Sequence, residues 1–232
     1  MKKEILIHCG VTMIKPITEI AKIIEKQENC IIKITTGGSG NLYKSIKANK
    51  IGDLYLPGSE AYIEKGTKDK FITEKTFVGE NKIALMVQKG NPKNIEPSLN
   101  CLLNENYRIV IGNPNRGSIG KKTKKILDKI GIFDKIKNRT EYLPTDSRGL
   151  IEALKNDKAD IVINWYATST WGENKDFVEV LDIESEFIIE EKLYIGLILY
   201  SQHPEIAKKF MEFASSEKGK EIFKKYGLYY AK

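Results

Sequence analysis

Short continuous apolar runs along the chain are followed by stretches in which apolar residues recur with a helical period. Ile5–Cys9 is such a run, and Ile14, Ile17, Ile20, Ala21 and Ile24 then fall three or four residues apart, on one face of a helix. Cys30–Ile34 predicts a second strand. It leads through Thr35-Thr36-Gly37-Gly38-Ser39-Gly40 into a helix over Leu42–Ala48. Asp53–Leu56 is a third short strand, ending in Pro57-Gly58, with a helical stretch from Ser59 to Lys65. This strand-helix alternation predicts an α/β fold with a mainly parallel sheet flanked by helices.

After residue 80 the alternation starts again. Ile83–Gln88 and Arg108–Ile111 read as strands, with a turn at Gly90-Asn91-Pro92 between them and a helix over Ser118–Ile130 after them. Glu141–Leu143 and Ile161–Ile163 are further expected strands, separated by a helix over Gly149–Asn156. Leu193–Tyr200 is a continuous apolar strand, and helices at Glu205–Ser215 and Lys218–Tyr226 follow, the second stopped by Gly227. Two α/β lobes are expected, with residues 1–80 and the returning 195–232 in lobe 1 and 81–194 in lobe 2.

Composition narrows the function classes. At 232 residues, with 41% apolar and 30% charged side chains, the chain is of ordinary globular make-up. The formal charge of +7 is spread along the sequence. Its densest cluster, Lys121-Lys122-Thr123-Lys124-Lys125, lies on a helix whose apolar residues point elsewhere, so a solvated face is expected and nucleic acid is not. Two histidines and three cysteines without metal-type spacing leave no metal site, and an odd cysteine count cannot be fully paired within one chain. The run Ile5-Leu6-Ile7 is too short for a signal-peptide core or a spanning helix. A soluble chain is expected, either cytosolic or a mature form whose leader is not part of the sequence.

The candidate chemistry sits in turns that follow strands and open helices. Gly10-Val11-Thr12, Gly37-Gly38-Ser39-Gly40 and Gly117-Ser118-Ile119-Gly120 each combine glycine with a hydroxyl at a helix start, where free amide protons and the helix dipole favour an anion. Thr145-Asp146-Ser147-Arg148 is a fourth, with Thr145 as the expected N-cap and Arg148 in reach of an anion. Asn164-Trp165-Tyr166 places polar and aromatic groups directly after the strand Ile161–Ile163, either at a ligand or in core packing. Catalytic patterns fail: Gly37-Gly38-Ser39-Gly40-Asn41 lacks the final glycine of a nucleophile elbow. His8 and Cys9 are adjacent on a strand and point to opposite faces. There is no P-loop and no complete GxGxxG. No enzyme and no cofactor are expected.

Taken together, several stretches resemble type II periplasmic solute-binding proteins of ABC transporters, above all the molybdate- and tungstate-binding family. They are Thr12 with Ile14–Glu25, Gly38-Ser39-Gly40-Asn41-Leu42 with Gly52–Leu56, Gly79–Asn91, Ile111-Gly112-Asn113-Pro114, Ala159–Val162 and Phe223–Leu228. The resemblance covers nearly the whole chain. It implies two lobes with a ligand cleft between them and an oxyanion held by neutral donors, with Thr12 and Ser39 as first-lobe hydroxyls. Ser118-Ile119-Gly120 and Ser147 fall where backbone donors lie, and Tyr166-Ala167-Thr168 where the family has Tyr-Ala-Thr. It implies a monomer outside the cytoplasm, periplasmic or lipid-anchored, with a membrane permease as partner. Molybdate or tungstate leads as ligand. The alternatives are a carboxylate or phosphorylated metabolite, anchored by Arg148 against Trp165 or Tyr166, and the effector-binding domain of a transcription regulator.

Overall fold

The computed structural model describes residues 2–228; Met1 and residues 229–232, assigned to lobe 1 from the sequence, lie outside them. Two compact units are formed, one by Met1–Asn81 with Glu191–Lys232 and the other by Lys82–Glu190. The chain passes from the first to the second within one long strand and returns within another.

Unit 1 is built on β1 (Glu4–Gly10), β2 (Ile31–Gly37) and β3 (Leu54–Leu56), with α1 (Ile14–Glu28), α2 (Ser39–Asn49) and α3 (Glu60–Lys68). β1 pairs in parallel with both β2 and β3. The first part of β4 (Ile72–Gln88) and most of β8 (Glu190–Ile198) complete the sheet in the order β2-β1-β3-β8-β4. β8 runs antiparallel to β3, which makes the sheet mixed. Ile17, Ile20 and Ile24 bury the inner face of α1, and Phe210 and Phe223 do the same for α7 (Pro204–Ser215) and α8 (Glu217–Lys225). Left-handed residues stop α1 at Asn29 and α2 at Lys50, and Gly227 at φ 69° follows α8.

Asp53 fastens this unit together. Its buried carboxylate accepts from the Leu6 amide at 2.7 Å and the Ser201 hydroxyl at 2.6 Å, and also from the Gln202 and His203 amides. Strand β1, the start of β3 and the turn leading into α7 are thereby joined at one charge whose lone pairs are satisfied.

Unit 2 contains the rest of β4, β5 (Ile109–Val110), β6 (Ile161–Trp165) and β7 (Val178–Leu181), with α4 (Ser118–Lys129), α5 (Phe133–Arg139) and α6 (Ser147–Lys155). β5 and β6 are parallel, whereas β4 runs antiparallel to both β6 and β7. Its core joins Leu85, Met86 and Val87 of β4 to Ile161 and Ile163 of β6 and to Leu127, Ile136 and Leu150 of the helices.

One expected strand is absent and two elements appear that the periodicity does not show. Glu141–Leu143 is not a strand; the segment bends over Gly117, where a Cβ would meet the Thr145 carbonyl at 2.6 Å. Helix α5 and strand β7 were not read from the sequence; the seven residues of α5 and four of β7 carry too few apolar positions to show a period. The α/β architecture is as expected, with the long crossing strands entering antiparallel to their neighbours, β8 beside β3 and β4 beside β6 and β7.

Asp160 makes unit 2 sensitive to acid. Its side chain is only 1% exposed; burial alone would raise its pKa, but bonds from the Arg108 guanidinium and amide and from Lys93 outweigh that and hold it at about 2. A folded pKa below the unfolded value means that the ionised form stabilises the fold. The contribution is complete above about pH 4 and is lost as pH falls toward 2, worth roughly 2–3 kcal/mol at 1.36 kcal/mol per unit. Urea unfolding at pH 5, 3 and 2 should show this loss in the wild type, and Asp160→Asn should flatten it.

Candidate functional site

In unit 1 the parallel register brings two of the expected hydroxyls to the same end of the sheet. Gly10 and Gly37, the last residues of β1 and β2, are register partners, and Thr12 and Ser39 each lie two residues beyond them. Cys9 pairs with Leu56, so the Pro57-Gly58 turn joins the same end. Gly10 permits the crowding: a Cβ there would lie 2.6 Å from the Met13 methyl and 3.1 Å from the Gly58 nitrogen.

Ser39 is the first residue of α2, behind Gly38, which supplies no side-chain cap. It is 2% exposed, its Oγ accepts from the Gly58 amide at 2.9 Å, and its carbonyl accepts from the Tyr55 hydroxyl at 2.8 Å. Burial pushes Tyr55 well above the usual phenol range, so it stays a donor. Because the Ser39 oxygen already accepts, its own proton is free to donate. Thr12 is buried in the one-turn helix Val11–Met13, its hydroxyl directed to the Met13 sulfur, a weak acceptor that a stronger one would displace.

Unit 2 repeats the arrangement. Ser118 is the first residue of α4, again behind a glycine, Gly117, without a side-chain cap. It is 7% exposed and its Oγ accepts from the Trp165 indole N–H at 3.3 Å. Ile119 is buried in the core by its side chain, so its only possible offer is its amide. Gly120 packs so closely that a Cβ would lie 2.2 Å from the Asn113 carbonyl oxygen.

Helix α6 starts differently. Asp146, not Thr145, is the N-cap; its carboxylate accepts from the Arg148 amide at 2.9 Å, while Thr145 is exposed. Asp146 immediately precedes the first helical residue with an extended backbone, the position from which a side-chain oxygen reaches the second amide of the helix. Arg148 is turned back onto the same carboxylate at 3.2 Å, with 54% of its side chain exposed. A negative charge therefore already occupies this helix start, and Ser147, 3% exposed, is left with its amide and hydroxyl.

The end of β6 holds these two helix starts in register. The Asn164 amide donates to the Ser147 carbonyl at 3.1 Å, and its oxygen accepts from the Trp165 amide at 2.8 Å. Asn164 is fully buried and ties the end of β6 to the first residue of α6, so it shapes the turn. Trp165 belongs to the core of unit 2 and to the Ser118 turn at once. Tyr166, partly buried, lies under the Lys82 ammonium at 4.9 Å.

Thus Ser118, Ile119, Ser147, Asn164 and Trp165 are assembled in unit 2 and Thr12 with Ser39 in unit 1, while Arg148 is tied to a cap. Tyr55, Gly58 and Asp146 were missed. Gly58 and Asp146 lie in turns that the sequence singles out, Pro57-Gly58 and Thr145–Arg148, but with no role given to either residue. Among the described residues, no group of three or more His, Cys, Asp or Glu could hold a metal ion.

The family of bacterial extracellular solute-binding proteins matches residues 5–229, and the chain belongs to it. It is 27% identical over 213 residues to the putative ABC transporter substrate-binding lipoprotein YvgL of Bacillus subtilis, covering 90% of this chain and 80% of the relative. It is 20% identical to the molybdate-binding protein ModA of Escherichia coli, covering 97% of this chain and 88% of ModA. The periplasmic molybdate-binding protein of Azotobacter vinelandii superposes with a TM-score of 0.82 at 15% identity, over 98% of this chain and all of the other, and the shared fold is the type II periplasmic binding fold. Among the described residues, no helix is long and apolar enough to cross a membrane.

If Asp146 is a cap and Arg148 its counter-charge, Asp146→Ala should lower stability by about 1 kcal/mol and Arg148→Ala by less than about 0.5 kcal/mol. Urea unfolding of both variants measures the difference, and equal losses would contradict the assignment.

Proposed function

We propose that this solute-binding protein captures a small oxyanion outside the cytoplasm, molybdate or tungstate first among them, and passes it to the membrane permease of an ABC importer without catalysing a reaction. One observation carries this reading. Ser39 and Ser118 are each the first residue of a helix with a glycine cap, and each hydroxyl oxygen is already an acceptor for a donor in its own unit. What remains to both is to donate. The first amides of α2 and α4 point the same way as donors, having no intrahelical acceptor.

Donors of this kind suit a fully ionised oxyanion, whose oxygens all accept. Neutral N–H and O–H groups replace its hydration shell without burying a counter-ion, and bonds to a charged partner are worth about 1.5–3 kcal/mol each. The relation to the molybdate-binding protein of E. coli supports the same ligand class. An organic anion anchored by Arg148 is the weaker reading, because that guanidinium is held by Asp146.

A thermal-shift screen of molybdate, tungstate, sulfate, phosphate and citrate tests the proposal. A ligand at 100 times its Kd adds about 2.7 kcal/mol, or roughly 5–10 °C for a chain of this size. Molybdate or tungstate should give that shift and sulfate little; a shift with citrate or phosphate alone would refute the ligand class. By calorimetry, Ser39→Ala should weaken molybdate binding roughly tenfold to a hundredfold, from the loss of about 1–3 kcal/mol.

A further inference from the structure

We infer that Trp165 is a positioning residue for the anion, its indole N–H holding the Ser118 hydroxyl as a donor. The inference rests on the reading of the unit 2 turns given above and adds a residue whose ring is buried in the core. A serine hydroxyl carries one proton and two lone pairs and rotates to suit its neighbours. An indole has a donor and no acceptor, so next to Trp165 Nε1 only one orientation of Ser118 is favourable: lone pair toward the indole, proton away from it.

The indole can impose that orientation because it does not move. Trp165 is 2% exposed in the core of unit 2, and its backbone amide is held by Asn164, whose side chain also grips the first carbonyl of α6. Adjacent residues at the end of β6 therefore set the hydroxyl of α4's first residue and the position of α6's first residue. The 3.3 Å separation is long for an N–H···O bond, which leaves room for shortening. An anion drawing on the Ser118 proton would make its oxygen a better acceptor and tighten the bond from the indole, the cooperativity expected of a hydrogen-bond chain.

Calorimetry with molybdate on the wild type, Trp165→Phe, Ser118→Ala and the double variant tests this. Phenylalanine keeps most of the apolar packing and removes the donor. Trp165→Phe should weaken binding roughly three- to tenfold when Ser118 is present and less than about twofold when it is alanine. Unchanged affinity in Trp165→Phe, or losses that simply add in the double variant, would overturn the inference by assigning Trp165 to packing alone. A second measurement uses the native tryptophan: its indole N–H resonance, told from that of Trp171 with Trp171→Phe, should shift during molybdate titration and lose most of that shift in Ser118→Ala. A resonance that stays still in a wild type that binds would also overturn it. A wild type that does not bind molybdate would remove the reading of the site and the inference together, whereas binding without Trp165–Ser118 coupling removes the inference alone.

Discussion

A helix that begins without a side-chain cap leaves its first amide protons with no acceptor, and burying them costs free energy unless something else accepts. Helices α2 and α4 begin this way, on Gly38 and Gly117, with a serine next. Helix α6 shows the contrast, since the Asp146 carboxylate accepts from its amides. Helices α1, α3, α5 and α7 also begin without a side-chain cap, but α2 and α4 are the ones whose first residue is a buried serine with its oxygen already engaged as an acceptor. Glycine at these caps is part of the arrangement, because Gly117 lies where a Cβ would strike the Thr145 carbonyl and Asx or hydroxyl caps would compete with an incoming anion.

Packing makes those ends rigid. In unit 1 three neighbouring parallel strands end level with one another, and the absence of a side chain at Gly10 lets the following loops close over them. In unit 2 the Asn164-Trp165 pair does the equivalent work through hydrogen bonds, because α4 and α6 are separated by an excursion through α5 and a bent loop rather than by adjacent strand ends. Donors fixed before a ligand arrives lose little entropy on binding.

Much of this was legible in the sequence. Strand-helix alternation located β1 to β3, the helices that follow them and the apolar core of unit 2, since each has a clean period. The Gly-Ser and Gly-Thr turns were visible because residue type and position after a strand are both local. What was illegible is non-local. The first half of β4 reads Thr73-Glu74-Lys75-Thr76, polar on both faces, and its strand character comes from pairing with β8. The partners of Ser39 and Ser118 are a backbone amide 19 residues away and an indole 47 residues away, which no short motif encodes. Arg148 misled for a related reason: a cation near a helix start suggests an anion site, and here the anion is Asp146 two residues earlier.

The buried carboxylates Asp53 and Asp160 lie at strand ends away from the donor turns. Asp53 lies at the amino end of β3, opposite the Gly58 turn, and Asp160 at the amino end of β6, opposite Asn164 and Trp165. His8 also packs at the Gly52 side, its Nε2 donating to the Ile51 carbonyl, and burial lowers its pKa. Since the neutral imidazole is the form the fold prefers, His8 withdraws stability as pH falls below its unfolded value near 6.5. Acid therefore acts on the sheet's far ends through His8 and then Asp160, while the serine, threonine and amide donors carry no charge to titrate over that range. On the proposed reading of the site, strength of binding and stability of the scaffold respond to different variables, the first to the charge of the ligand and the second to the protonation of Asp160 and His8.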